Sequence, residues 1–508
     1  MSAPDHPQVS TQPSASALVA EVMATGTLAG LPQGHFIDGG LVAAAGGGLM
    51  HTCDPSRGEA FAAFAAGDAQ DIDRAVGSAR RALVSSWRRT TPAERGRILQ
   101  RAAALIRAES HRLAVVEALD AGKRLSEAYG DVSSAARAFE YYAGACDKLQ
   151  GDTIPLDDEH LAYTVLEPVG VCAQIVPWNY PLATMARGVA PALAASCAVV
   201  VKPAETTPLT ALLLADLLCR AGLPPGVCNV VTGTGTEAGA PLVAHPGIQH
   251  VTFTGSVATG IGVMQAAATQ VTHVLLELGG KSPVVVMADC DVEQALQGVL
   301  GAIYENAGQI CSAGSRLVIA RPLHERFVQA LAQRARALTP GHALNDPGLG
   351  PVNSAAQLAR IDGHVQRARA RGVQVVTGGR CTTDPASGKG WFFEPTILDG
   401  LAPDDPAVQQ EIFGPVLCVQ VFDEPEEALA LANGTNYALV AGVYTRDFAA
   451  AHRMARELDA GQIYINEYFA GGMEVPFGGN RHSGFGREKG LEGLRNYCRV
   501  KSVAARLS

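Results

Sequence analysis

Across residues 68–151 the apolar positions recur every three or four residues, the spacing of helices that bury one face. Thr91-Pro92-Ala93-Glu94 writes a capping box with proline at the first helical position, and apolar residues continue at helical spacing through Ile106. Near Val171 the pattern changes. Short apolar runs at 171–176, 198–201, 230–232, 251–253 and 274–276 alternate with amphipathic segments at 207–221 and 257–268, which predicts a parallel α/β sheet with helical crossovers. After Pro283 further short runs at 284–287, 317–320, 373–376 and 416–422 predict a second α/β lobe, followed by a glycine-rich stretch at 471–486. Residues 1–33 are rich in Ser, Ala, Pro and Thr with little periodicity, and they read as a mobile leader. No internal repeat is visible.

With 508 residues the chain exceeds the ~250 to 300 at which one core stops growing, so two large lobes are expected. The excess of acidic over basic residues, 49 against 40, is spread without long single-sign runs. It offers no footprint for nucleic acid. Eleven cysteines without a CxxC pair argue against both a disulfide framework and a zinc site, and point to a reducing compartment. The first basic residue is Arg57, so the basic region of a secretory signal is missing. Apolar runs such as 191–201 fall short of the ~18 residues that a membrane span needs. A cytoplasmic protein is expected.

Three segments carry candidate chemistry. In Gly308-Gln309-Ile310-Cys311-Ser312-Ala313-Gly314 a cysteine lies among small residues that leave room above its sulfur. In Leu276-Glu277-Leu278-Gly279-Gly280-Lys281 an acid ends an apolar strand, where partial desolvation raises its pKa toward a useful general base. The same spacing allows an ion pair between Glu277 and Lys281. In Pro177-Trp178-Asn179-Tyr180 the asparagine amide can either donate to an oxyanion or cap the following helix.

Together with Lys202-Pro203-Ala204-Glu205, Phe253-Thr254-Gly255-Ser256, Glu411-Ile412-Phe413-Gly414-Pro415 and Pro476-Phe477-Gly478-Gly479, these segments resemble the aldehyde dehydrogenase superfamily. The blocks occur in the family's order over about residues 35–505, and the separation of Glu277 from Cys311, 311 minus 277 or 34 positions, fits its pattern. The resemblance implies an α/β fold: a Rossmann-like parallel cofactor domain (34–148 and 169–279), a second α/β catalytic domain (280–480), and a small β element for oligomerisation (149–168 and 481–508). It implies Cys311 as nucleophile, Asn179 as oxyanion donor and Glu277 as the base for water, giving an acid through a hemithioacetal and a thioester. It places NAD against Val176, Pro177, Trp178, Lys202, Glu205, Gly235, Phe253, Gly255, Ser256, Leu278, Glu411 and Phe413. A carboxylate at Glu205 would bind ribose hydroxyls and repel a 2′-phosphate, so NAD is expected over NADP. A homodimer or homotetramer is expected, acting on a small aldehyde, with no metal, nucleic acid or membrane partner.

The sequence departs from the family pattern at Met185-Ala186-Arg187-Gly188, where relatives often carry tryptophan and lysine, and at Glu305, where many carry an aromatic. With the loop Glu467-Tyr468-Phe469-Ala470-Gly471-Gly472 these positions bring polar groups toward the substrate or turn them to solvent. Ala438 and Asn480-Arg481-His482 are milder departures, and His482 reads as a surface residue. A cysteine hydrolase would use the same sulfur, donor and base, but it would leave the cofactor blocks without purpose. A catalytically idle relative would be free to lose Cys311 or Glu277, and both are present.

Overall fold

The computed structural model describes residues 13–507. Strand Val171–Val176 lies at the middle of an eight-stranded sheet. Ala198–Pro203 and then Cys228–Val230 add parallel on one side of it, and His250–Thr254 and His273–Glu277 add parallel on the other. The chain order therefore reverses beside Val176, and in open α/β sheets the reversal leaves a crevice beyond the carboxyl ends of the strands. The parallel arrangement expected from the sequence holds for these five strands. Both margins are antiparallel, with His35–Ile37 and Gly40–Val42 at one edge and Gly484–Phe485 at the other. Cys228–Val230 starts and stops two residues earlier than the apolar run predicted. The reason is that Thr232 spends its hydroxyl on the Ala65 carbonyl, at 2.7 Å, and its N–H on His35, at 3.2 Å.

A second sheet of seven strands runs in the order Gln374–Thr377, Thr396–Asp399, Val416–Phe422, Arg316–Ala320, Pro283–Val286, Val440–Tyr444 and Gln462–Ile465. All its pairings are parallel except at the Gln374–Thr377 edge. Thr396–Asp399, Val440–Tyr444 and Gln462–Ile465 were not anticipated, since they are short and Gly442 interrupts one of them. That glycine has a packing cause, because a Cβ there would lie 2.8 Å from the ring of Tyr468. Separate apolar clusters cover the faces of each sheet, so each lobe has its own core. A third, antiparallel sheet joins Cys498–Arg506, His160–Pro168 and Thr153–Ile154.

The leader needs correction. Residues Ala15–Thr25 form a helix, with Ser14 capping the Ala17 N–H and Gly26 closing the C-terminus in the left-handed region. Leu18 and Val22, four residues apart, are buried against the first lobe, so this segment is docked and not free. Residues 1–12 lie outside the described part. The helical stretch that follows is confirmed. The Thr91–Glu94 box closes in both directions, at 3.3 Å from the Glu94 N–H to Thr91 Oγ1 and 2.8 Å from the Thr91 N–H to the Glu94 carboxylate. No helix among the described residues is long and apolar enough to cross a membrane.

Trp87 shows how these helices are fastened to the sheet. It is fully buried, and its Nε1–H donates to the Cys197 carbonyl at 3.0 Å, just ahead of strand Ala198–Pro203. Trp87→Ala removes both the packing and this bond, with an expected loss of about 3–5 kcal/mol. Thermal unfolding followed by circular dichroism should show a clearly lower midpoint, and an unchanged midpoint would contradict the packing described.

Candidate active site

Strand His273–Glu277 ends at the carboxyl edge of the first sheet, and only Leu278 to Ser282 separate it from Pro283–Val286 of the second. The carboxyl edge of one sheet thus faces the amino edge of the other across a crevice. All twelve residues expected to hold a cofactor line it, together with Cys311, Glu277 and Asn179.

The far end of the crevice is built from the first sheet. Lys202, nearly buried on strand Ala198–Pro203, donates to Glu205 at 3.1 Å, and burial pulls its ammonium below the usual lysine range while Glu205 opposes the shift. Gly235 begins a turn where an added Cβ would meet nothing within 4 Å, so the space beside it is open. Ser256 caps helix Val257–Ala268, accepting from the Thr259 N–H at 3.2 Å, and leaves the first-turn amides directed at the crevice. Gly255 is required beside Phe253, since a Cβ would fall 2.6 Å from that ring, and Gly260 makes room for Leu278 in the same way.

The near end is closed from the second sheet. Glu411 accepts from the Gly280 N–H at 3.0 Å, and burial raises its pKa to about 7. Phe413 has φ 60, in the left-handed region, and stands edge-on to Trp178 with ring centroids 5.3 Å apart, next to Val176 and Pro177. Gln357 fixes this loop by donating to the carbonyls of Ile412 and Phe413, and Arg360 donates to that of Glu411. Sequence reasoning missed Gln357 and Arg360. They sit on helix Ala355–Ala370 with no local signature, and only packing brings them to the crevice.

Asn179 is nearly buried and does not cap the next helix, whose N-cap is Tyr180. Its Nδ2 donates one hydrogen to the Gln309 carbonyl at 2.9 Å, leaving the second for a ligand. Glu277 is not paired with Lys281, which reaches the other way to the Cys418 sulfur. Neither carboxylate oxygen of Glu277 has a hydrogen-bond partner. Burial and then the nearby Glu488 hold its pKa well above the usual carboxylate range, against the pull of Arg187, Arg487 and Lys489. Cys311 is half-buried; burial pushes its thiol up to about 12, with Arg187 opposing and Glu277 adding.

A second cavity meets the first at Pro177, Asn179, Thr254 and Cys311. Its walls include Tyr180, Arg187, Glu305, Phe477 and Lys489, with Phe469 and Ala470 from the loop expected there. Tyr468 of that loop turns inward and donates to the Ser312 carbonyl at 3.0 Å. Cys311 therefore sits where the crevice and this second cavity, a tunnel, converge.

A model of the aldehyde dehydrogenase family matches residues 42–503, almost the whole chain. The chain belongs to the aldehyde dehydrogenase family. It is 41% identical over 478 residues to an aldehyde dehydrogenase of Aspergillus niger, covering 94% of this chain and 95% of that one. A putative aldehyde dehydrogenase structure from Burkholderia cenocepacia superposes with a TM-score of 0.92 at 46% identity, covering 94% of this chain and 100% of that one. An NAD+ complex of a Bacillus cereus aldehyde dehydrogenase superposes with a TM-score of 0.92 at 40% identity, covering 94% and 97%. As an NAD-dependent aldehyde dehydrogenase the protein oxidises an aldehyde to a carboxylic acid. The crevice fits the cofactor, with open space at Gly235, free helix amides after Ser256 and a lysine–glutamate pair at its far end.

Proposed function

We propose that Cys311 gives up its thiol proton to solvent and attacks the carbonyl carbon of the aldehyde as a thiolate, so that the S–C bond of a hemithioacetal forms while the C=O π pair passes to oxygen. The free hydrogen of Asn179 Nδ2 and the backbone N–H of Cys311 hold the oxyanion. NAD, bound in the crevice, supplies the acceptor for the hydride that leaves this carbon. Glu277 then takes a proton from water, hydroxide adds to the thioester, and the Cys311 thiolate departs to release the acid. The observation that carries this reading is the meeting of both cavities at Cys311, with the unpartnered carboxylate of Glu277 on the same wall.

The same reading gives residues 34–148 and 169–279 to the cofactor lobe and 280–480 to the catalytic lobe. Lys202 and Glu205 hold the adenosine ribose, Glu411 and Phe413 the nicotinamide ribose, and Glu305 in the tunnel supports an aldehyde with a polar or charged substituent. The small sheet supports self-association, because Ile154, Leu161, Tyr163 and Val500 are exposed on it at 40%, 42%, 36% and 67%. All eleven cysteines are free, which supports a cytoplasmic location; recovery in a membrane or secreted fraction would count against it.

In rapid-mixing experiments Cys311→Ala should show no NADH. Glu277→Gln should retain a single-turnover burst of NADH while steady turnover falls about 100-fold or more, by loss of the general base. Full turnover in either variant would refute the roles assigned. The kcat/KM ratio should favour NAD over NADP, and Glu205→Gln should narrow the gap about tenfold, one lost repulsion being worth about 1.4 kcal/mol. A native preference for NADP would overturn the ribose assignment. Light scattering after gel filtration should report a dimer or tetramer that Val500→Asp weakens, and a monomeric native protein would remove the interface.

A further inference from the structure

The tunnel that reaches Cys311 separates its charges. At the Cys311 end, Arg187 pairs with Glu488, and the Lys489 ammonium lies 5.3 Å from the centre of the Phe477 ring. On the other wall stands Glu305, beside Asp131. Lys123, the nearest ammonium, is already paired with Asp131 and packed 3.8 Å over the Tyr180 ring, and Arg124 is committed to Glu127 at 2.7 Å. Among the described residues the Glu305 carboxylate has neither a hydrogen bond nor an ion pair.

Its position is also an unfavourable one to hold. Glu305 caps the C-terminus of helix Val292–Tyr304, where the helix dipole disfavours a negative charge. Asn306 and Ala307 then follow at φ 47 and 51, a left-handed pair that non-glycine residues rarely adopt. The turn is pinned to the catalytic segment. The Asn306 N–H donates to Glu127 at 3.0 Å, Asn306 Nδ2 donates to the Asn179 carbonyl at 3.3 Å, and Gln309 Nε2 donates to the Asn306 carbonyl at 2.9 Å. Strain held this firmly beside a site is characteristic of function rather than packing.

We propose that Glu305 is a specificity residue that selects aldehydes carrying a cationic amine or quaternary ammonium group remote from the carbonyl. The proposal rests on the reading of Cys311 as nucleophile. The cation completes the missing partner of Glu305, while the rings of Phe469 and Phe477 offer apolar walls to the connecting methylenes. An anionic substituent would meet the unpaired carboxylate of Glu305.

The test uses an isosteric pair, 4-(trimethylammonio)butanal and 5,5-dimethylhexanal, which differ only in the charged atom, with 5-oxopentanoate as the anionic arm. NADH formation should show kcat/KM at least about tenfold higher for the cation, carried by KM, as expected for one charge-assisted contact. Glu305→Gln should collapse that ratio toward one, and Glu305→Asp should keep most of it. Burial and the facing carboxylates of Glu127 and Asp131 raise the Glu305 pKa to about 7, with Lys123 and Arg124 opposing. The charge on the quaternary probe is fixed, so the preference should grow between pH 6 and 8 as Glu305 ionises, and E305Q should flatten that rise. Equal use of the isosteric pair, preference for 5-oxopentanoate, or a ratio untouched by E305Q would each overturn the proposal while leaving the catalytic reading standing. No NADH from any aldehyde would overturn both.

Discussion

The arrangement depends on one short link, Leu278 to Ser282, which carries the chain from the carboxyl edge of the first sheet to the amino edge of the second. It holds because its backbone polar groups at Gly279, Gly280 and Lys281 are bonded from both sides. Arg316, wholly buried at the start of its strand, donates to the Lys281 carbonyl at 2.7 Å and to the carbonyls of Leu431 and Ala432. The Gly280 N–H donates to Glu411, and Ser483 Oγ donates to the Gly279 carbonyl at 2.8 Å. Gly279 has no alternative here, because a Cβ would lie 2.3 Å from the Glu411 carboxylate. A buried guanidinium with fewer carbonyl partners would be costly, so the link tolerates little movement.

That rigidity lets several ionisable groups share a small buried volume. Glu277, Cys311 and Lys489 lie close enough to one another, and to Arg187, for their charges to move one another's proton affinity. Burial raises the carboxylate and the thiol together, and the cations oppose it. Space is reserved as carefully as charge. At Gly478, with φ 153, a Cβ would sit 2.5 Å from the Glu277 carboxylate.

Much of this was legible in the chain. Parallel strands buried on both faces must be continuous apolar runs, so the five central strands of the first sheet stood out, while short strands such as Gln462–Ile465 did not. The helix Ala15–Thr25 was hidden by its composition, although Ser14, Gly26 and the Leu18–Val22 spacing wrote its caps and its buried face. The local segments around Asn179 and Glu277 each left two readings open. Spacing alone does not say where a side chain turns.

By itself the sequence determined the alternation of strands and helices, the two lobes, the family and the residues capable of its chemistry, because these follow from local periodicity and from short contiguous motifs. Only the tertiary structure decided that Lys281 turns away from Glu277, that Asn179 keeps one amide hydrogen free, that Gln357 and Arg360 brace the Phe413 loop, and that Glu305 stands unpaired in the tunnel. Each is a contact between residues distant along the chain. Such contacts are set by how the sheets pack and which buried polar groups find partners, and no local pattern records that.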